Sequence, residues 1–329
     1  MKSYIEQIST AKMSRADWLA ERRNSLGGSD MGAVLGLNPW RSPYAVWAEK
    51  TGKITDDRET EAMRIGRDLE DYVARRFSEA SEKKVRRMNA ILRNNRTCPW
   101  LHANVDRLIV GEESGLECKT ASALNASKFT GGEFPATYYA QCVTYLSVTE
   151  YERWYLAVLV MGREFKIFQM TRIKDDPCPD WCESSVYVSS EEIDALITAA
   201  AEFWDRVEHN EPPAVVGMSA TSEALVSVIG PSNSDKHVDL TGVSGKIKMY
   251  LEAKKKVEEM EEIRDRYANE IKDYMGDAAG GSCELAKISW KTQSRKSFDA
   301  KRFAKDNPLL NIEKYYNYST VRPFKVTEN

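Results

Sequence analysis

The 329-residue sequence predicts an α/β fold: a small mixed sheet flanked by helices, followed by a C-terminal helical arm and hairpin. Three observations carry that expectation. Strand-like runs (LHANVDRLIV, RWYLAVLV, EFKIFQM) interleave with runs of helical spacing. A loop-rich stretch after Pro212-Pro213 marks a change of composition, and one long charged helical segment lies beyond it.

Taken in order, SRADWLAERRNSLGGSDMGAVLGLNPW reads as a helix broken at Gly27-Gly28 and a second helix ended by Asn38-Pro39. SPYAVWAEKTG is a third helix, with Ser42 as N-cap and Pro43 in its first turn. A long helix is expected over roughly 59–83. LHANVDRLIV then alternates as one strand, GEESG turns, and LECKTA begins the next. ATYYAQCVTYLSV has helical spacing, and RWYLAVLV and EFKIFQM are strands joined by a tight Met161-Gly162 turn. IDALITAAAEFWDRVEHN is an amphipathic helix that stops before the prolines. These readings give residues 1–213 as the core, 214–242 as a linker, and 243–329 as an accessory region made of a charged helix and a hairpin in CELAKISWKTQSRKSF.

Composition narrows the function. At 42% apolar content the chain can bury a full core, and no apolar run approaches the eighteen or so residues of a membrane span. The N-terminus lacks the basic-then-apolar order of a secretory signal, which points to the cytoplasm and to no membrane partner. The six cysteines are expected to be reduced thiols. Cys178 and Cys182 lack the further spaced ligands of an iron–sulfur site, and three histidines give little for a zinc site. A net charge of −3 excludes a general polyanion coat, so any nucleic-acid contact must be local.

Period-two alternation puts Leu101, Ala103 and Val105 on one strand face and His102, Asn104 and Asp106 on the other. In LECKT, Leu116 and Cys118 point inward while Glu117 and Lys119 share the opposite face. If the GEESG turn pairs the two strands, Asp106, Glu117 and Lys119 converge. Two carboxylates are hard oxygen ligands suited to Mg²⁺, and an ammonium beside them can orient an attacking water. Glu70 lies on a helical stripe with Gly66, Val73 and Phe77, where a buried carboxylate needs a partner, and a metal ion is one. Gln141 shares a helical face with Tyr138 and Tyr145 and can hydrogen-bond into the same place. Each signal alone has a plainer reading: a solvated hairpin for Asp106-x₁₀-Glu-x-Lys in a chain that is 29% charged, a salt bridge for Glu70, a polar spot for Gln141, a surface or supporting residue for His102. Their joint order is the specific feature.

That order resembles the phage lambda exonuclease and YqaJ viral recombinase family, within the PD-(D/E)xK nuclease superfamily. WLAERRNSLGGSD is similar to its opening segment, IGRDLEDYVARRF to its glutamate helix, HANVDRL to its metal-aspartate strand, LECKT to its Glu-x-Lys strand and YYAQCVTYL to its glutamine helix. The resemblance implies a restriction-endonuclease-like core and a Mg²⁺-dependent 5′→3′ exonuclease, with Mn²⁺ able to substitute, acting on linear double-stranded DNA to leave 3′ single strands for recombination. It further implies that Asp106, Glu117 and Glu70 hold metal and that Lys119 and Gln141 complete the catalytic set. Arg22 and Ser29 would anchor a 5′-phosphate, with Gly27 and Gly28 offering backbone donors. Asn104 and Asn125 depart from that pattern, standing where the lambda member carries a serine and an arginine. A single-strand annealing protein as partner, a trimeric ring and a phage or prophage origin in a bacterial cytoplasm are also implied. A structure-specific or restriction-like endonuclease and a non-catalytic DNA-binding scaffold are the alternatives. Closed circular DNA separates the first, and retention of three facing charges argues against the second. The KKKVEEMEEIRDR run reads as a solvated helix face with i,i+4 pairs, or more sharply as an arm that docks a partner or subunit. The WKTQSRKSF stretch reads as soluble surface or as a DNA backbone contact.

Overall fold

The computed structural model describes residues 2–55, 60–307, 309–317 and 322–327. The chain divides into one compact unit through Gly230 and a second from Pro231 onward. In the first, β1 (Ile5–Ser9) leads to α1 (Arg15–Arg23), the two-residue β2 (Leu26–Gly27), α2 (Gly28–Val34), α3 (Pro43–Lys50) and α4 (Glu61–Ser81). Then come β3 (Val85–Arg87), β4 (Ala90–Asn94), β5 (Cys98–Asn104), β6 (Arg107–Ile109), β7 (Ser114–Ala121), a 3₁₀ turn at Ala123–Phe129, and α5 (Ala136–Thr149). β8 (Arg153–Val160), β9 (Glu164–Thr171), β10 (Ser184–Tyr187), α6 (Ser190–Glu208) and α7 (Ser219–Ile229) complete it. The start of α4 expected at Glu59 lies outside the described residues.

Local chemistry explains the helix boundaries. The Ser42 hydroxyl accepts the Ala45 amide with Pro43 in the first turn, and Ser189 with Glu192 forms a capping box on α6. Gly162, at φ +72, turns β8 into antiparallel β9.

The single sheet expected from sequence is two sheets. One has the order β1-β4-β5-β2, the other β10-β9-β8-β7-β6-β3. The stretch expected as one strand over 101–110 is divided between them, β5 in the first and β6 in the second, with Val105 and Asp106 at the crossing. Both flanks are buried, so alternation runs on unbroken through a point where the backbone changes sheets. In the six-stranded sheet β7 pairs antiparallel with β6 and parallel with β8.

α5 lies between the sheets, packing on β4 and β5 of one and β8 of the other, with every residue from Ala140 to Thr149 buried. A helix apolar or neutral all round suits that position. The Thr144, Ser147 and Thr149 hydroxyls donate to the carbonyls of Ala140, Val143 and Tyr145, so burying them strands no donor. On the other face of the six-stranded sheet, Val73, Ala74 and Phe77 of α4 pack with Leu116, Tyr155, Ala157 and Ile167. Each fully buried large side chain of this kind contributes about 1.5–3 kcal/mol.

α7 falls inside the stretch read as a linker, and it packs against α3 with Thr221 and Ala224 buried. The second unit holds a 3₁₀ turn (Thr241–Val243), α8 (Ser244–Met275), a hairpin of β11 (Gly280–Ser282) and β12 (Lys287–Ser289), and α9 (Ala300–Asp306). The hairpin ends before Trp290, and the WKTQSRKSF stretch forms neither helix nor strand.

Two stability outcomes follow. A Cβ at Gly115 would meet the indole of buried Trp154, its cross-strand neighbour, at 2.3–2.6 Å. Gly115→Ala should therefore destabilise the protein by about 1–3 kcal/mol, whereas Gly217→Ala, with open space around it, should not. Equal melting temperatures for the two variants would contradict this packing. A chain truncated after Gly230 should unfold cooperatively, and one truncated after Pro213 should melt lower because it lacks α7; the order is read by calorimetry.

Candidate active site

The β6–β7 pairing sets Arg107 opposite Leu116 and Leu108 opposite Gly115, which draws Asp106, just before β6, onto β7. The Asp106 carboxylate accepts the Cys118 amide at 2.8 Å. On β7 Leu116 and Cys118 face the α4 side, while Glu117 and Lys119 face α5. Lys119 ion-pairs with Glu117, and its ammonium lies 5.4 Å from the Tyr138 ring. Gln141 donates to Glu117 Oε1 at 2.6 Å and to the Tyr145 hydroxyl at 2.8 Å, and that hydroxyl donates to the Asn104 carbonyl at 3.1 Å. One hydrogen-bonded chain thus ties the end of β5, α5 and β7 together.

Charge is crowded here. Burial pushes the Asp106 carboxyl well above the usual carboxylate range, and the charges of Glu117 and Glu70 push it further. Burial alone would lower the Lys119 ammonium, but Glu117 and Asp106 overturn that and hold it above the ordinary lysine value. Glu117 Oε2 is buried with no hydrogen-bond partner among the described residues, a state that costs about 1–3 kcal/mol if nothing binds it.

Glu70 sits on its expected stripe with Val73 and Phe77, and Arg107 is its partner. Arg107 also pairs with Asp71, which in turn pairs with Arg87. Sequence reasoning missed Arg107, although a basic residue next to the strand aspartate answers the question Glu70 posed. Among the described residues no three acidic, histidine or cysteine side chains are gathered as a metal-holding group. The Asp106–Glu117 pair nonetheless suits a divalent cation. Its two carboxylates are hard oxygen donors, one Glu117 oxygen lacks a partner among the described residues, and the mutual repulsion is of the sign a cation relieves.

Arg22 and Ser29 come together as well: Arg22 Nη2 donates to Ser29 Oγ at 3.0 Å, and the guanidinium lies over the Trp18 ring at 4.6 Å. They stand beside the carboxylate site because α2 packs on α5 at Gly28, where a Cβ would meet Tyr145 at 2.7 Å and Gln141 at 3.1 Å. Beneath them lies a cluster the sequence did not announce. Asp30 is fully buried, accepts the Gly27 amide at 2.9 Å, and pairs with Lys50 at 2.8 Å and Arg41 at 2.6 Å. Burial would raise its carboxyl, yet Lys50, Arg41 and Arg22 hold it well below the usual range. The Gly27 amide expected as a phosphate donor is therefore already used by Asp30. Lys50 also donates to the Arg22 carbonyl at 2.7 Å, which fixes the main chain of that arginine. His102 is buried under Gly27, against Ser25 Oγ at 2.8 Å, so its role is in packing this corner. Asn125 and Lys128 line a groove of about 490 Å³ with Asn38, Trp40 and Tyr138.

Residues 17–152 match the model of the YqaJ-like viral recombinase domain, a stretch that contains all five segments quoted above. The chain is 36% identical over 323 residues to the YqaJ protein of Bacillus subtilis, covering 97% of this chain and 96% of that one. A shorter similarity, 43% over 51 residues and 15% of each chain, links it to protein D345L of African swine fever virus. Among solved structures it is similar to an alkaline exonuclease from Laribacter hongkongensis (TM-score 0.45, 13% identity, 60% of this chain and 94% of that one). It is also similar to a phage-related exonuclease from Haemophilus somnus (TM-score 0.39, 8% identity, 56% and 96%). With a relative matched along almost its whole length and the domain model matched across the segments that build the site, this chain belongs to the YqaJ-like viral recombinase family.

Proposed function

We propose that the protein is a divalent-metal-dependent nuclease that digests linear double-stranded DNA from its 5′ ends and leaves 3′ single strands for recombination. The observation that carries the reading is the Asp106–Glu117 pair set against Lys119, with a buried Glu117 oxygen that has no partner among the described residues. Asp106 and Glu117 would hold the cation, Mg²⁺ or Mn²⁺, and Glu70 would join them on release from Arg107. A cation held there supplies Lewis-acid stabilisation of the phosphodiester and of the leaving oxygen. The remaining work falls to the chain. Lys119, kept charged by its carboxylate neighbours, orients the attacking water, and Gln141 fixes the Glu117 carboxylate through Oε1 so that Oε2 stays free.

Direction is read from Arg22 and Ser29. A 5′-terminal phosphate carries more charge than an internal one, and the Arg22 guanidinium, held over Trp18 on a main chain that Lys50 fixes, can present a planar fork to it. Ser29 Oγ supplies a neutral partner at the same place. The 3′ strand so exposed would pass to a single-strand annealing protein, and a trimeric ring would keep the enzyme on its substrate.

Cleavage tests the catalytic roles. Glu117→Gln and Lys119→Ala should each slow digestion of linear duplex by about 100-fold or more while leaving the fold and end binding intact. EDTA should stop the wild type, Mg²⁺ or Mn²⁺ should restore it, and closed circular DNA should survive. Ordinary rates from folded Lys119→Ala, or rapid cutting of the circle, would contradict the proposal. Initial rates on 5′-phosphorylated and 5′-hydroxyl duplexes test direction. Arg22→Ala should shrink the phosphate preference more than it weakens DNA affinity, whereas Arg23→Ala, about 100° round the helix, should leave it. A full preference retained by Arg22→Ala would remove that residue from the phosphate site.

A further inference from the structure

α8 runs for 32 residues without burying one of them. At 1.5 Å per residue it spans about 48 Å. Six of its apolar residues, Tyr250, Val257, Met260, Tyr267, Ile271 and Tyr274, fall on a 3-4 spacing, with Ala253 and Arg264 filling the two remaining steps, while Ile247, Met249, Leu251, Ile263 and Met275 lie off it. This is an eight-position seam, four heptads long. The six apolar members are 43–94% exposed, and Phe324 meets Tyr250 edge-on at 5.8 Å. Helices in water gain most of their stability from packing such a face, so this one is built to be covered.

Its charge pattern says by what. From 244 to 256 the helix carries five lysines and one glutamate; from 257 to 275 it carries seven acidic residues and three basic ones. The helix is therefore positive along its first part and negative along the rest, with no net charge overall. A second copy laid antiparallel sets each positive part against a negative one, whereas a parallel copy sets like against like.

The seam favours the same orientation. With Tyr250 level with Tyr274 of the second copy, Val257 meets Tyr267, and Arg264 meets Met260 instead of another Arg264. Lys256 then flanks Glu270 of the second copy, twice by symmetry. Glu261 approaches its own counterpart at the two-fold axis, where Arg264, 3.3 Å from it within the helix, compensates its charge.

We infer that α8 is a self-association element that pairs two copies of this chain as an antiparallel coiled coil. The contact is isologous, the same residues serving both chains, so this contact joins two chains and is separate from any ring contact made elsewhere. It is independent of the nuclease reading.

The test is the concentration dependence of the mass of the full-length protein, by sedimentation or light scattering. Comparison between variants cancels any association made elsewhere. Wild type should associate, and Met260→Glu should weaken that association about tenfold or more by placing a charge in the seam. Lys256→Glu alone and Glu270→Lys alone should each weaken it roughly three- to tenfold, and the double reversal should restore it, which keeps the test sound if Met260→Glu frays the helix. Residues 256 and 270 are 14 positions apart, about 21 Å along one helix, so rescue cannot arise within a chain. Helicity by circular dichroism and digestion of linear DNA should stay at wild-type levels throughout. A wild type whose mass equals that of Met260→Glu at every concentration overturns the inference. Single reversals without rescue in the double overturn the antiparallel pairing.

Discussion

Two carboxylates, the buried Glu117 and the half-buried Asp106, stand together with one ammonium to share. Left alone, that arrangement is unfavourable: desolvation and mutual repulsion both oppose the charged state, and one Glu117 oxygen has no partner. The surrounding structure is what holds it in place. The β6–β7 register brings Asp106 to the Cys118 amide, the lone glutamine of α5 grips one oxygen of Glu117, and Lys119 supplies the near positive charge. Secondary structure placed for packing thus also fixes a site that a divalent cation would relieve.

A second buried charge cluster answers the first. Asp30 is paired on all sides, by Lys50, Arg41 and the Gly27 amide, and its carboxyl is held well below the usual range. Asp30 is fully buried and Asp106 half-buried, and their environments push them in opposite directions. Asp30 is a satisfied anion whose work is to fix the α1–α2 corner and, through Lys50, the main chain of Arg22. Asp106 accepts one amide, from Cys118, but faces the charges of Glu117 and Glu70, and its carboxyl is pushed up. Unmet charge of that kind marks the candidate site, while met charge marks the scaffold beside it.

Much of this was legible in the sequence because it is local. The helix cap at Ser42, the Gly162 turn, the two faces of β7 and the Glu70 stripe each follow from spacing within a dozen residues. What escaped depends on tertiary choice. The passage from β5 to β6 leaves the alternation unbroken, so it carries no mark of a change of sheet. Arg107 and Lys50 read as ordinary charged residues until the fold buries them against Glu70 and Asp30. α7 lies in a stretch rich in turn-forming residues and is helical because α3 offers it a surface.

The central claim is that Asp106 and Glu117 form a divalent-cation site on this chain, and the most direct test is cation binding itself, free of DNA and of turnover. Mn²⁺ titrated into the protein and followed by electron paramagnetic resonance, with calorimetric melting alongside, reports occupancy and its linkage to stability. Wild type should bind Mn²⁺ and melt higher as it does so, whereas Asp106→Asn and Glu117→Gln should lose both responses, and Asp71→Asn, on the far side of Arg107, should keep them. Binding and stabilisation that persist in Asp106→Asn and Glu117→Gln, or that are absent from the wild type, would contradict the account.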